Sequence, residues 1–195
     1  MPLSVAVLMG GKSTRFGSPK AFLPFRGASL AAHLLREASQ FSADAFAVCR
    51  QADQVPPDAA VEFRIVTDQW EQEGPLAGLH AALTSAKEQV LFLTGVDMPF
   101  LKREAVEGLF HLWRSEGCPD AVVPRYEGRW EPLCSIWSYQ ALRKLEPGAY
   151  RGFQDLINEG PLRVNPVLPG ELRKFDPSLW CLAGFNTRTE WERFV

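Results

Sequence analysis

The chain has 195 residues, of which 46% are hydrophobic and 23% charged, with a formal net charge of −2. That length can bury a core without disulfides or structural metal, and that composition is ordinary for a globular protein. A near-neutral chain without a basic helix or a basic aromatic stripe argues against a nucleic-acid partner. No apolar run reaches membrane-span length, and the amino terminus lacks a charged-then-apolar export signal, so no membrane association and a cytoplasmic location are expected.

The first predicted element is a short buried strand, the Val- and Leu-rich run from Leu3 to Leu8. It leads into Met9-Gly10-Gly11-Lys12-Ser13-Thr14-Arg15-Phe16-Gly17-Ser18-Pro19-Lys20. Glycines let a backbone turn sharply and bring N–H groups close to a ligand, and Lys12, Arg15 and Lys20 add positive charge. Residues 1–36 hold five Lys or Arg and no acid, the first being Glu37. A one-signed segment in a nearly neutral chain points to an anionic ligand, most simply a nucleotide triphosphate. Gly11-Lys12-Ser13 mimics the end of a P-loop, but that motif needs a glycine five residues earlier, where Ala6 stands. Gly17 and Pro19 would also interrupt the helix that a P-loop enters, and no G-x-G-x-x-G fingerprint is present.

Ser29 is a plausible N-cap for a helix to Ser39, in which Leu30, Leu34, Leu35 and Ala38 recur at helical spacing. Strands are expected at Ala45–Cys49 and Glu62–Val66, with Asp68 just beyond the latter. Gly74-Pro75-Leu76-Ala77-Gly78 reads as a turn entering a helix that runs to about Lys87. Gln89–Thr94 is the most apolar strand, suited to a central parallel position, and Asp97-Met98-Pro99 follows it. Lys102–Glu116 has amphipathic spacing. Ala121–Pro124 and Glu131–Trp137 flank a turn at Tyr126–Arg129 and suggest a hairpin-like insertion. Short helices are expected at Tyr139–Leu145 and Gly152–Asn158, and a late strand at Trp180–Phe185. A capping box at Thr187 and Glu190 starts a closing helix.

Alternation of strands and helices predicts one α/β domain spanning residues 1–195, a three-layer sandwich with a mostly parallel central sheet. In such sheets ligands sit beyond the carboxyl ends of the strands, which puts the basic loop, Asp68 and Asp97 on one rim. Asp97 also suits a helix N-cap, and Asp68 a solvated acidic loop shared with Glu71 and Glu73. The cysteines Cys49, Cys118, Cys134 and Cys181 form no Cys-x-x-Cys pair, and the three histidines have no partner at metal spacing. Cys49, Cys134 and Cys181 read as buried free thiols in strand-like runs.

These residues together resemble the molybdenum cofactor guanylyltransferases, the MobA family of nucleotidyltransferases, and the resemblance implies a Rossmann-like α/β fold. The family's amino-terminal signature, L-A-G-G-x-S-x-R-[MF]-G-x-x-K, stands here as Leu8 to Lys20. The Gly74–Gly78 block, Asp97-Met98-Pro99, Glu131-Pro132-Leu133-Cys134 and Phe185-Asn186-Thr187 match further family elements in order. Met9 departs from the usual alanine, Ala47-Val48-Cys49-Arg50 stands where the family often has asparagines, and one asparagine remains in the terminal pattern.

The resemblance implies transfer of GMP from GTP to the terminal phosphate of molybdopterin, with release of pyrophosphate and with Mg²⁺ as cofactor. Protein partners in cofactor delivery are a further implication. It assigns Leu8, Gly10, Gly11, Lys20, Asp68 and Asp97 to the nucleotide, Arg15, Lys20 and Asp97 to catalysis, Asp97 to the metal and Asn186 to the acceptor. Alternatives are a related enzyme using CTP or a sugar or polyol phosphate acceptor, and a non-catalytic nucleotide-binding protein that delivers the cofactor.

Overall fold

The computed structural model describes residues 1–9, 16, 19–70 and 74–195. Its strands are β1 (Ser4–Leu8), β2 (Pro24–Phe25), β3 (Ala28–Ser29), β4 (Asp44–Cys49), β5 (Arg64–Thr67), β6 (Val90–Gly95), β7 (Ala121–Tyr126), β8 (Arg129–Trp130), β9 (Cys134–Ser138) and β10 (Val164–Val167). The α-helices are α1 (Leu30–Ser39), α2 (Pro57–Ala60), α3 (Pro75–Ser85), α4 (Arg103–Ser115), α5 (Phe153–Glu159), α6 (Pro169–Leu172) and α7 (Arg188–Trp191).

The main sheet has the order β10-β7-β9-β6-β1-β4-β5, with β8 paired to β7. β1 pairs in parallel with β4 and β6, β4 with β5, and β7 with β10. Only β9, antiparallel to both β6 and β7, and β8 run against the rest. The expected hairpin-like pair is therefore part of the sheet: β9 returns between β6 and β7 instead of standing outside them. β6 is central and buried along its whole length, with β1 as a parallel neighbour on one side and antiparallel β9 on the other.

Strand side chains alternate between two faces. Ala6, Leu8, Leu91 and Leu93 join the core under α3 and α5, while Val5, Val7, Val90 and Phe92 pack toward α1 and α4. These are the three layers expected from the sequence. Ser29 caps α1, its hydroxyl accepting from the Ala32 N–H at 3.1 Å. The Glu127-Gly128 turn is left-handed at both residues, the conformation that matches the twist of a two-residue hairpin.

Two expectations are corrected. Trp180–Phe185 is not a strand: Trp180–Leu182 forms a 3-10 helix, entered through left-handed Leu179. Cys181 is thus on a helical turn, although it is buried and free like Cys49 and Cys134. Asp97 caps no helix, because α4 begins six residues later with Lys102 as its N-cap. The sequence reading also passed over β10, a strand interrupted by Pro166 at the sheet edge, where a missing N–H is tolerated.

Chain direction reverses around β1. From β1 the chain moves outward to β4 and β5, and α3 then returns it to β6 on the opposite flank. This switch point between β1 and β6 is where sheets of this kind form a ligand crevice, at the carboxyl ends of the strands.

α4 packs closely on the segment after α6. A Cβ built on Gly108 would lie 2.2 Å from the Phe175 ring. Gly108→Ala should therefore destabilise the fold by about 1–3 kcal/mol, read as a lowered urea midpoint with an unchanged m-value.

Candidate functional site

The site is built at the β1/β6 crevice. Leu8 ends β1; its carbonyl accepts the Val96 N–H at 3.0 Å, and its buried side chain lies against α3. A Cβ on Gly78 would stand 3.1 Å from Leu8 Cδ2, so a glycine at this point of α3 lets the helix lie close over the end of β1. At the head of the same helix Gly74 has φ +152° and Pro75 takes the first helical position, where its missing N–H is harmless. The Gly74–Gly78 block is thus a device for starting and seating α3 at the rim.

Asp97 lies two residues beyond β6, in a turn closed by the Met98 N–H donating to the Gly95 carbonyl at 3.0 Å. A Cβ on Gly95 would come within 2.5 Å of Asp97 Oδ1 and 2.8 Å of Leu133 Cδ1, so any side chain there would have to displace the carboxylate or its neighbour. Lys20, on the 3-10 helix Lys20–Phe22, donates from Nζ to Asp97 Oδ2 at 3.2 Å, to Asn186 Oδ1 at 3.2 Å and to the Phe185 carbonyl. The lysine side chain is 11% exposed and the aspartate 29%, so this is a sheltered pair with one accessible edge on the acid.

The carboxyl-terminal segment is locked to this pair. The Phe185 N–H donates to the Asp97 carbonyl at 3.1 Å, and Lys20 Nζ sits 4.9 Å from the Phe185 ring centroid. Phe185 is fully buried between Phe16 and Trp191. Beyond it Glu190 accepts from the N–H groups of Asn186 and Thr187, and Thr187 Oγ1 accepts from the Glu190 N–H, the predicted capping box of α7. Asn186 is therefore held by its backbone while its side chain faces Lys20.

Asp68 is on the other flank of β1. Its N–H donates to the Cys49 carbonyl at 3.0 Å, and Arg50 Nη1 donates to Asp68 Oδ1 at 2.5 Å and to the Trp70 carbonyl. The Arg50 of the divergent Ala47–Arg50 stretch thus neutralises the predicted nucleotide contact and pins the loop after β5. Burial, reinforced by the nearby charge of Asp68, pushes the Cys49 thiol up to about 11, which keeps it protonated and unreactive.

β9 brings the Glu131–Leu133 segment to the same rim, because Cys134 pairs with Thr94 near the end of β6. The Glu131 N–H donates to the Pro124 carbonyl at 2.9 Å. Burial raises the Glu131 carboxyl above its ordinary range; Glu127 adds to this and Arg129 opposes it. Arg125, three residues before the hairpin tip's end, lies 5.3 Å from the Trp130 ring centroid.

The structure thus gathers Lys20, Asp97 and Asn186 in one hydrogen-bonded group beside Leu8 and sets Asp68 apart with Arg50. Gly10, Gly11 and Arg15 lie outside the described residues. The sequence reading missed the Phe185 carbonyl, Gly95 and the pairing role of Arg50. Main-chain groups leave no side-chain signature, and Arg50 meets Asp68 only through the register that sets Cys49 beside Thr67.

Among the described residues no three His, Cys, Asp or Glu converge as a metal cage. Mg²⁺, however, takes few protein oxygens when phosphates supply the rest. Asp97, an accessible carboxylate in the crevice, fits such a one-sided contact.

Comparison with known proteins gives a consistent set of likenesses. Residues 5–163 match the MobA-like NTP transferase domain. A probable molybdenum cofactor guanylyltransferase from Methanosarcina mazei is 30% identical over 207 residues, covering 98% of this chain and 89% of the relative. A molybdenum cofactor guanylyltransferase from Desulfosudis oleivorans is 30% identical, with 96% and 91% covered. The crystal structure of molybdopterin-guanine dinucleotide biosynthesis protein A from Archaeoglobus fulgidus superposes with a TM-score of 0.82 at 30% identity, over 97% of this chain and 95% of that one.

The raised pKa of Glu131, caused chiefly by burial, links the rim to pH. Its folded-state value exceeds the unfolded one, so its contribution to stability is present at low pH and is lost as pH rises through the folded value. Glu131→Gln should melt higher than the wild type at neutral pH, with the gap closing below about pH 4, near the range of a free glutamate. Thermal melts between those limits read this directly.

Proposed function

This chain belongs to the MobA-like NTP transferase family, and we propose that it transfers GMP from GTP to the terminal phosphate of molybdopterin, releasing pyrophosphate. The observation that carries the reading is the sheltered Lys20–Asp97 pair at the β1/β6 crevice, at the end of the glycine-rich basic loop. The whole chain is read as one nucleotidyltransferase domain, since Phe185 and Asn186, beyond the matched segment, complete the surroundings of Lys20. No helix among the described residues is long and apolar enough to cross a membrane. A cytoplasmic setting, where GTP is available, is part of the proposal.

In this reaction an oxygen of the acceptor phosphate attacks the α-phosphorus of GTP. A new P–O–P bond forms as the bond from the α-phosphorus to the β-phosphate oxygen breaks, and pyrophosphate leaves with that electron pair. An acceptor phosphate is already ionised near neutral pH, so no general base is required. The barrier lies in bringing two anions together, and the residues act by positioning and by charge stabilisation.

Lys20, already largely desolvated, meets the phosphates and stabilises the charge that builds on the leaving pyrophosphate. Gly10, Gly11 and Arg15 share the phosphate-binding task, and Leu8 presents backbone beside the nucleotide. Asp97 would hold Mg²⁺, which when bound supplies electrostatic stabilisation of phosphate oxygens. Asp68, fixed by Arg50, serves the nucleoside end, and Asn186 orients the acceptor while steadying Lys20.

Pyrophosphate release from GTP, Mg²⁺ and molybdenum-loaded molybdopterin tests the proposal, with CTP as the competing donor. Turnover with GTP well above that with CTP is expected, and turnover only with CTP overturns the donor assignment. Asp97→Ala and Lys20→Ala should each lose about 10²–10³ in rate, the cost of deleting one preorganised charge-stabilising group. Lys20→Ala should retain part of its GTP affinity. Wild-type turnover by Asp97→Ala in Mg²⁺ removes Asp97 from the metal.

A further inference from the structure

On the face covered by α3 and α5, beside the first turn of the helix that seats on Leu8, lies an open cleft of about 570 Å³. One wall is Trp70 with the first turn of α3; the other runs from Gly148 to Arg151 and along α5 through Asp155 to Glu159. Its place on the rim follows from the fold, since α3 starts beyond the end of β5 and seats Gly78 on Leu8. The volume falls in the range of small-molecule sites.

The lining has a definite chemistry. Trp70 and Tyr150 are both half-buried and packed on the core beneath α3 and α5. Trp70 is braced twice, by the His80 ring at 4.7 Å and by Arg50, which binds its carbonyl. A braced aromatic ring in a cleft offers a stacking surface to a flat heterocycle. Asp155, half-buried on the first turn of α5, adds two acceptor oxygens and no donor. A carboxylate in that setting matches a ring edge that presents two neighbouring N–H donors, because both oxygens can accept in parallel.

We propose that this cleft holds a fused 2-amino-4-oxopyrimidine ring, stacked against Trp70 and Tyr150, with its ring N–H and exocyclic amino group donating to Asp155. The assignment rests on the guanylyl-transfer reading, in which both substrates carry that edge, guanine in the donor and pterin in the acceptor. Asp155 then rejects rings lacking the amino group, because one carboxylate oxygen would be left without its donor.

Calorimetric titration of the full chain, as wild type and as Asp155→Asn, tests this with two probe pairs: GTP against inosine triphosphate, and free pterin against lumazine. Each second member lacks the 2-amino group. Asp155→Asn should weaken one of the amino-bearing probes about ten- to a hundred-fold, the worth of hydrogen bonds to a charged group, and abolish its advantage over its partner. Loss confined to GTP places guanine in the cleft, and loss confined to pterin places the acceptor there.

Tyr150→Ala should weaken both members of the affected pair equally, since stacking does not sense the amino group. Unchanged affinities and preferences in both variants, with wild-type GTP binding and pyrophosphate release intact, overturn the cleft assignment alone. A wild type that neither binds GTP nor releases pyrophosphate overturns the guanylyl-transfer reading as well.

Discussion

The ammonium of Lys20 reaches three groups that are distant in sequence: the Asp97 carboxylate, the Phe185 carbonyl and the Asn186 amide oxygen. A cation so little exposed must be compensated, because an isolated buried charge is far costlier than a paired one. Its partners come from the turn after β6 and from the segment leading into α7, while Lys20 itself terminates the loop after β1. One charge therefore joins the three pieces of chain that border the crevice. In the proposed reaction the lysine has already lost most of its hydration before any phosphate arrives, so little reorganisation remains for the chemical step.

Small residues do the complementary work. Gly95 leaves room for the Asp97 carboxylate, and Gly78 lets α3 lie against Leu8, each at a spot where a single added carbon would meet a neighbour at contact distance or closer. The β1/β6 rim is thus assembled by omission of side chains as much as by their presence. Polar pins elsewhere hold the opposite end of the sheet. Asp44, buried at the start of β4, accepts from Ser4, the Lys87 N–H and Arg64; burial opposes its charge, but those bonds prevail and keep its carboxyl below the ordinary range.

Much of this was legible in the residues. Periodicity located β1, β4, β6, α1 and α4 to within a residue or two, because those elements bury one or both faces completely. The rim positions of Asp68 and Asp97 followed from their places just beyond predicted strands of a mostly parallel sheet. What failed was the part governed by tertiary context. Trp180–Phe185 has the apolar content of a strand, yet its backbone groups bond locally and to Asp97 instead of a sheet partner. β10 escaped notice because an edge strand with a proline has almost no pattern to detect. The Arg50–Asp68 pair was invisible since its members stand eighteen positions apart in the chain.

The tie between Lys20 and Phe185 spans 165 positions, and Phe185 in turn is covered by Trp191 and Phe194 near the end of the chain. During translation β1 and Lys20 leave the ribosome well before Phe185 and Asn186, which compensate that lysine. Contacts this remote in sequence form late, because their loop-closure entropy is met only when the intervening structure is in place. A nascent chain that has not yet reached Phe185 can pair the inner strands of the sheet while Lys20 is still without two of its three partners. By order of synthesis, the surroundings of Lys20 are completed only after every strand of the main sheet has emerged.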